Sequence, residues 1–465
     1  ERSNRQSVLE SSRESGGLSS VDPDRVPRVV EETDVVGPIP DSDHDLGVDV
    51  IPISEDSDCA DRLISQVNQL LALTGNGTTD VEVYVQELFS DRDEQIAREA
   101  GNSLAASQSI EQALEETSKL WKELQDIRAV GLSRAERRGV SYMSPSSLEG
   151  IGLPEDEPDA KKDSDSLRSW ATLGHDFLTS TSFRPTSETG EHPRRRRLYQ
   201  RVRPAVLTLV SKLLDQCQGI VLPLEVARKI PGYSAVGVHW VAKRGAGESV
   251  KLGRLVGDAA SGGIHRLNFD VKAYRDRVED VYGELKLPQA GDVAEFILAH
   301  SQGMHDPTLA TADISGAFRK ILLTSRAALR GALEVELDDG REVAVIQTSL
   351  WFGLTAAPYA WNVVSKTLQR LCPYALFYVD DSLTVLESAE ADSKLEHLKG
   401  TSCRLLTPGT TGAWCDSKFK RRQKALEFIG WWRDVNNMTV SLTHRSVVKF
   451  LARLLHATSQ TGVRL

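Results

Sequence analysis

Cysteine is scarce in this chain. The five present, at positions 59, 217, 372, 403 and 415, form no C-x-x-C pair and have no histidine at zinc-ligand spacing. That argues against a disulfide scaffold and a structural zinc site, and Cys403 and Cys415 read as buried or free thiols of a reducing compartment. No apolar run reaches the roughly 20 residues a membrane-crossing helix needs, and no secretory leader is visible. The expected location is therefore intracellular, cytoplasmic or nuclear, with no membrane partner. Aromatic residues are few over residues 1–57, where Ser, Asp, Glu and Pro dominate. Such a stretch cannot bury enough apolar surface to offset chain entropy and is expected to be a disordered acidic tail. Methionine is missing from position 1, where Glu1 stands, so the sequence reads as a fragment or a piece of a polyprotein.

Positive charge is missing from the front of the chain. Residues 1–190 carry 38 acidic and 18 basic residues, whereas residues 191–465 carry 28 acidic and 38 basic ones. The net charge of −10 therefore conceals a basic C-terminal half. Such a half can hold a phosphate backbone with an affinity that falls as salt rises, although an ordinary solvated basic surface has the same composition. Arg194 to Arg197, with Arg201 and Arg203, cluster at its entrance. They suit a nucleic-acid contact, a nuclear address or a solvated helix turn.

Residues 58–143 read as a helical region. Leu63, Ile64, Val67, Leu70 and Leu71 recur at helical spacing until Thr74-Gly75-Asn76-Gly77. Ser109 and Gln112 suggest a capping box. Ile110, Ala113, Thr117, Leu120, Leu124 and Ile127 then form a stripe that either packs on neighbouring elements or mediates oligomerisation, the first being favoured. Residues 144–193, rich in Ser, Pro and acid, read as a linker. From about Val202, helical stretches alternate with short β-rich runs: hairpins near 333–346, 376–386 and 426–442, helices near 292–300, 357–372 and 389–399. This is an α+β order.

Two aspartates, Asp380 and Asp381, stand between strand-like runs in Phe377-Tyr378-Val379-Asp380-Asp381-Ser382-Leu383-Thr384-Val385-Leu386. They read as the tip of a β-hairpin, where side chains are rigidly held yet accessible. Adjacent carboxylates repel unless a cation or hydrogen bonds compensate them. The same dipeptide at Asp338-Asp339 is followed by Gly340 and needs no explanation beyond an Asp-Gly turn. A functional reading of Asp380-Asp381 therefore needs partners elsewhere. Asp313, in Ala312-Asp313-Ile314-Ser315-Gly316-Ala317-Phe318, is such a partner, although a lone aspartate at a strand end is commonly a cap.

With these residues in view, the chain resembles the reverse transcriptases of retroviruses and LTR-type retrotransposons. Asp313-x-x-x-Ala317-Phe318 is similar to their first palm motif. Phe352-Gly353-Leu354-x-x-Ala357-Pro358 is similar to the second, and Tyr378-Val379-Asp380-Asp381 to the third. Arg254-Leu255-Val256-Gly257-Asp258 with Arg266-Leu267-Asn268 resembles the fingers motif. Phe428-Ile429-Gly430-Trp431-Trp432 with Met438 to Leu442 resembles the primer-grip hairpin. The five motifs follow in the family's order over roughly residues 200–460. There are departures: Trp351 stands where a proline is common, and Gly262-Gly263 loosen the fingers motif.

The resemblance implies a right-hand palm and fingers over 194–445 and the start of a truncated thumb over 446–465; no ribonuclease H, protease or integrase segment is read in the sequence given. It implies an RNA-directed DNA polymerase, a nucleotidyltransferase with two Mg²⁺ ions, Mn²⁺ being a substitute, held by Asp313, Asp380 and Asp381. Arg254 and Lys243, or Arg244, would meet the triphosphate. Gly353 would let backbone approach the nucleotide. Phe318 would lie under the sugar and favour deoxynucleotides. Gly430 and Trp431 would hold the primer end. Partners would be an RNA or DNA primer–template and dNTPs. Two other readings stay open: an RNA-directed RNA polymerase sharing the palm, against which Phe318 speaks, and an inactive or domesticated nucleic-acid-binding module.

Overall fold

Helices precede the first strand among the described residues, and they pack against a sheet. The structure is a computed structural model that describes residues 64–65, 67–69, 103–180, 193–243, 251–259, 279, 281–408, 413–415, 419–443, 446–448 and 450–451. All of these lie in one compact unit, residues 55–465. The expected tail over 1–57, Gly262-Gly263, Arg266 to Asn268 and Arg244 lie outside the described residues. Of the first expected helix, the described residues 64–65 and 67–69 are helical, with Val67 buried.

Helix Ser103–Leu124 starts six residues before Ser109, which corrects the expected capping box. Ser109 lies inside the helix and donates instead to Asp215 Oδ1 at 3.4 Å. The apolar stripe packs within the chain: Ile110, Ala113, Thr117, Leu120 and Ile127 are buried, while Leu124 at the helix end is exposed. Thr117 hydrogen-bonds the Val221 carbonyl, which ties the helix to strand β1 (Gly219–Pro223). The following helix, Ile127–Arg137, buries Arg134 completely. Its guanidinium donates to Glu116 Oε2 at 2.9 Å and to the Leu214 carbonyl at 2.5 Å, so the buried charge is both paired and hydrogen-bonded.

The linker expected over 144–193 is a second correction. Its described part contains helices Pro145–Glu149 and Pro158–Leu173, and Leu148, Leu153, Leu167, Trp170 and Phe177 join the main core. Apolar residues at helical spacing outweigh the Ser, Pro and acidic composition, because they have a surface to be buried against. Helix Pro193–Asp215 follows, carrying Arg194 to Arg197 on its backbone.

The architecture is α+β, with three sheets among the described residues. Strands β2 (Ala235–Lys243), β3 (Lys251–Asp258), β5 (Ala332–Glu336) and β6 (Glu342–Gln347) join β1 in the order β1-β6-β5-β2-β3. Strands β4 (Pro307–Asp313), β7 (Ala375–Tyr378), β8 (Asp381–Glu387) and β9 (Lys420–Gln423) form a four-stranded sheet in the order β7-β8-β4-β9. Strands β10 (Ala425–Phe428), β11 (Trp431–Asp434) and β12 (Thr439–Leu442) form an antiparallel meander. All pairs are antiparallel except β2 with β5.

The four-stranded sheet is covered on both faces, which explains the near-continuous apolar character of β4. On one face Leu309, Leu383 and Val385 pack with Val293 and Ile297 of helix Ala290–Ser301 and with Leu426 and Phe428 of β10. On the other, Ala310 and Leu386 pack with Ala391 and Leu395 of helix Ala391–Leu406. Helix Ala356–Leu371 shares the main core with Ala312, Ala375 and Phe377. Residues 446–448 and 450–451, at the expected start of a thumb, are helical.

His175 joins the N-terminal helices to this body. Its N–H donates to the Leu322 carbonyl at 2.7 Å, and its carbonyl accepts from Thr324 at 3.1 Å. The ring is fully buried, 2.8 Å from Tyr282 Oη and edge-on to Trp170. Burial without an acid pushes the imidazole pKa down to about 3. The unfolded chain, with a histidine near pH 6.5, then binds the extra proton as pH falls, so this contribution to stability is whole above about pH 6.5 and is lost toward pH 3. Denaturant titration should show stability dropping by about 2 kcal/mol from this group between pH 7 and pH 5. His175→Gln should flatten that slope. An identical pH slope in the variant would show that His175 is not the group responsible.

Candidate active site

The register of β4 with β8 sets Asp313 directly opposite Asp381. Cross-strand partners share a face of the sheet, with Cβ atoms about 5 Å apart. The same face carries Leu309, Leu383 and Val385, with Thr311 next to Asp313, so the two aspartates end a largely apolar row. Asp380 lies in the turn between β7 and β8, and its carbonyl accepts from Ile314 N–H at 3.0 Å, extending the ladder past the strand ends. The Asp313 carbonyl accepts from Cys415 N–H at 2.9 Å. Asp313 is buried, Asp380 half-buried and Asp381 exposed. Among the described residues, no three His, Cys, Asp or Glu side chains are arranged as a ready-made metal cluster. What the structure does bring together is the backbone of all three aspartates at one end of one sheet.

The turn is strained. Val379 adopts φ 56°, a left-handed conformation that a β-branched side chain disfavours. The fully buried Trp361 donates its Nε1–H to the Val379 carbonyl at 2.5 Å and holds the turn in that conformation. Such strain persists where its surroundings over-determine it and costs on the order of 1–3 kcal/mol. The second Asp-Asp pair is different in kind. Asp338 pairs with Arg203 and accepts from Ser107 at 3.1 Å, Asp339 pairs with Arg341, and Gly340 takes the positive φ of 82°. Arginine partners hold both carboxyls below the usual carboxylate range, although partial burial opposes this at Asp338. That pair is a structural turn.

Three further expected residues meet around Phe352. Arg254, exposed on β3, sets its guanidinium 4.8 Å from the ring centre of Phe352. Phe352 in turn lies 5.3 Å from the half-buried Phe318, which sits on the short 3-10 turn Ala317–Lys320 just after β4. Gly353 has φ 100°, and a Cβ there would come 2.2 Å from the Gly257 carbonyl oxygen. Only glycine allows this approach of the motif to β3, which the Gly257 N–H to Phe352 carbonyl bond (2.9 Å) secures. Lys243 ends β2 opposite Lys251, and its side chain lies outside the described residues.

Trp431 opens β11, and Gly430 lies in the turn just before it. Ile429 and Gly430 both have positive φ, 53° and 74°, the conformation of a tight hairpin turn. Ser446 Oγ donates to the Gly430 carbonyl at 3.3 Å, tying the turn to the helical residues that follow. Leu426 and Phe428 of the same meander share a buried cluster with Leu309 and Leu383, so the meander rests on the aspartate-bearing face.

Phe352 lies in the expected second motif with no role of its own, and Trp361 carries no local signal in the sequence. Phe352 is the common neighbour of Arg254 and Phe318, and no local pattern signals that. Trp351, the departure from the family pattern, is fully buried edge-on to Phe177, 5.4 Å away. It occupies the space beside Gly257 and Gly331, where added Cβ atoms would come within 2.7 and 2.3 Å of its ring. The indole thus takes up room that two glycines leave.

No protein-family model and no curated protein matches the chain. Among solved structures it is similar to the foamy viral protease-reverse transcriptase in complex with double-stranded DNA, at 15% identity and TM-score 0.38, covering 64% of this chain and 56% of that one. It is also similar to Prototype Foamy Virus Protease-Reverse Transcriptase, at 18% identity and TM-score 0.37, covering 65% and 37% respectively. A third similarity is to telomerase from Candida albicans in complex with a fragment of telomeric RNA, at 11% identity and TM-score 0.35, covering 51% and 49%. The chain spans between 37% and 56% of the length of these structures. At TM-scores below 0.5, none of these similarities establishes structural equivalence.

Proposed function

We propose that this chain is a template-directed nucleotidyltransferase of the reverse-transcriptase type, extending a primer on an RNA or DNA template with deoxynucleotides. The observation that carries the reading is the β4–β8 register, which sets Asp313 against Asp381 with Asp380 in the adjoining turn. The order of the five sequence motifs supports it, as does the meeting of Arg254, Phe352 and Phe318, the last five residues after Asp313.

An all-carboxylate donor set fits a hard divalent cation, and Asp313, Asp380 and Asp381 are the residues that would hold two Mg²⁺ ions, or Mn²⁺ in their place. When bound, the ions supply neutralisation of phosphate charge and acidify the attacking hydroxyl. The chain's own residues do the rest. The rigid hairpin keeps the carboxylates at one sheet end, where Val379 and Trp361 fix the turn. Arg254 presents a planar guanidinium suited to triphosphate oxygens, and the Phe352 ring beneath it limits the directions in which it can point. Lys243 at the end of β2 adds a second positive charge for the same phosphates. Phe318, touching Phe352 and five residues after Asp313, offers a ring face to the sugar and leaves no room for a 2′-hydroxyl. Gly353 keeps the backbone bare where nucleotide and template approach. Gly430 and Trp431, on the meander packed against the same sheet face, would hold the primer end. The basic half of the chain supplies the salt-dependent attraction for the duplex. Work inside the cell, in cytoplasm or nucleus, and origin in a retroelement accord with this reading.

Two outcomes test it. In primer extension with Mg²⁺, Asp380→Asn should lose at least about a hundredfold in rate while keeping wild-type thermal stability, since one ligand charge is removed from the reacting centre. Asp338→Asn, in the structural copy of the dipeptide, should extend primers normally. Full extension by Asp380→Asn would leave a nucleic-acid-binding module as the better account. Phe318→Ala should raise ribonucleotide relative to deoxynucleotide incorporation by tenfold or more, about 1.4 kcal/mol of discrimination. An unchanged ratio would make Phe318 a packing residue and reopen RNA synthesis.

A further inference from the structure

Resting on the reading of the three aspartates as one metal site, we propose that Trp361 is a positioning residue that selects the turn type at Asp380 and so the direction in which that carboxylate points. Tyr378 pairs with Asp381, so Val379 and Asp380 form a two-residue hairpin loop. The backbone φ is positive at Val379, 56°, and not at Asp380. A positive φ at the first loop position alone defines a type II′ turn, whose first position favours glycine. The competing hairpin turn is type I′, with positive φ at both positions, and an aspartate tolerates that conformation. The two types differ by a flip of the single peptide that joins the two loop residues. The carbonyl of that peptide belongs to Val379.

Trp361 holds that carbonyl. The indole is fully buried on helix Ala356–Leu371, and its Nε1–H donates to the Val379 oxygen at 2.5 Å. A buried indole N–H needs an acceptor, and Val379 supplies it. The next peptide is secured separately, because the Asp380 carbonyl accepts from Ile314 N–H at 3.0 Å. The Tyr378–Asp381 pair closes the loop on its other side. These anchors leave the 379–380 peptide as the part of the turn with two orientations, and the indole bond chooses between them. Val379 cannot make that choice, since both turn types place it at positive φ, which a β-branched residue disfavours. Its side chain packs against the main core, which helps to offset the strain. A flip would carry φ of Asp380 from about −80° to about +90° and re-aim its Cβ. The carboxylate would then leave the position that the β4–β8 register prepares beside Asp313 and Asp381.

The test removes the donor in two ways in the full chain. Trp361→Phe keeps an aromatic ring but leaves a small void. Benzothienylalanine at position 361 puts sulfur in place of the indole N–H at nearly constant shape, so it leaves none. Mn²⁺ affinity, read by electron paramagnetic resonance, should fall at least about tenfold in both proteins, and the Mg²⁺ needed for half-maximal primer extension should rise in step. Primer–template affinity should stay at the wild-type value. Val379→Gly supplies the residue that a type II′ turn prefers. Added to Trp361→Phe, it should restore Mn²⁺ affinity although it brings neither packing nor a donor. Wild-type Mn²⁺ affinity in the benzothienylalanine protein, or no recovery on adding Val379→Gly, would overturn the proposal. A wild type that binds Mn²⁺ but extends no primer would strike the polymerase reading alone. A wild type that binds no Mn²⁺ would overturn both.

Discussion

The proposed activity of this chain depends on one backbone register. Side chains alternate faces along a strand, so a slip of one residue between β4 and β8 would send Asp313 and Asp381 to opposite faces. The slip is prevented by burial on both sides of the sheet. Leu309, Leu383 and Val385 belong to one buried cluster, Ala310 and Leu386 to another, and exchanging them would unpack both. Ser382 and Thr384 reinforce the register from within, donating to the Ala312 and Ala310 carbonyls at 3.3 and 3.4 Å. The aspartates are placed by hydrophobic residues that have no part in the chemistry.

The same logic ties the front of the chain to the back. Helix Ser103–Leu124 and β1 share a buried surface, and Phe177 reaches Trp351, which abuts Gly257 on β3 next to the bond that secures Gly353. A disturbance in the N-terminal helices therefore has a packed route toward the Arg254–Phe352–Phe318 group. This layer belongs to the folding unit that presents the candidate site.

The hairpins at 333–346 and 376–386 were legible because strand propensity and turn residues agree locally. The placing of Asp380 and Asp381 at a hairpin tip was legible in the apolar runs on either side, whereas their meeting with Asp313 depends on a strand pairing across 67 residues. The linker assignment over 144–193 erred by weighing composition above periodicity: Leu148, Leu153, Leu167 and Trp170 were visible as apolar positions, but their burial depends on a surface supplied by distant segments. Ser109 looked like a cap because Glu, Gln and apolar residues follow it, yet the helix already runs from Ser103. Phe352 and Trp361 stayed unassigned because their roles come from contacts across long stretches of sequence. The strain at Val379 is a property of the folded turn, and the residue's own preference points the other way.

The most direct measurement of the central claim is iron-mediated cleavage of the protein. Fe²⁺, added in place of Mg²⁺ with ascorbate and peroxide, cuts backbone only close to where it is bound. If Asp313, Asp380 and Asp381 hold one metal centre, cuts should fall near residue 313 and near residues 380–381, be suppressed together by excess Mg²⁺, and vanish together in Asp313→Asn. Cleavage at only one of the two positions, or cleavage near 380–381 that survives loss of Asp313, would contradict it.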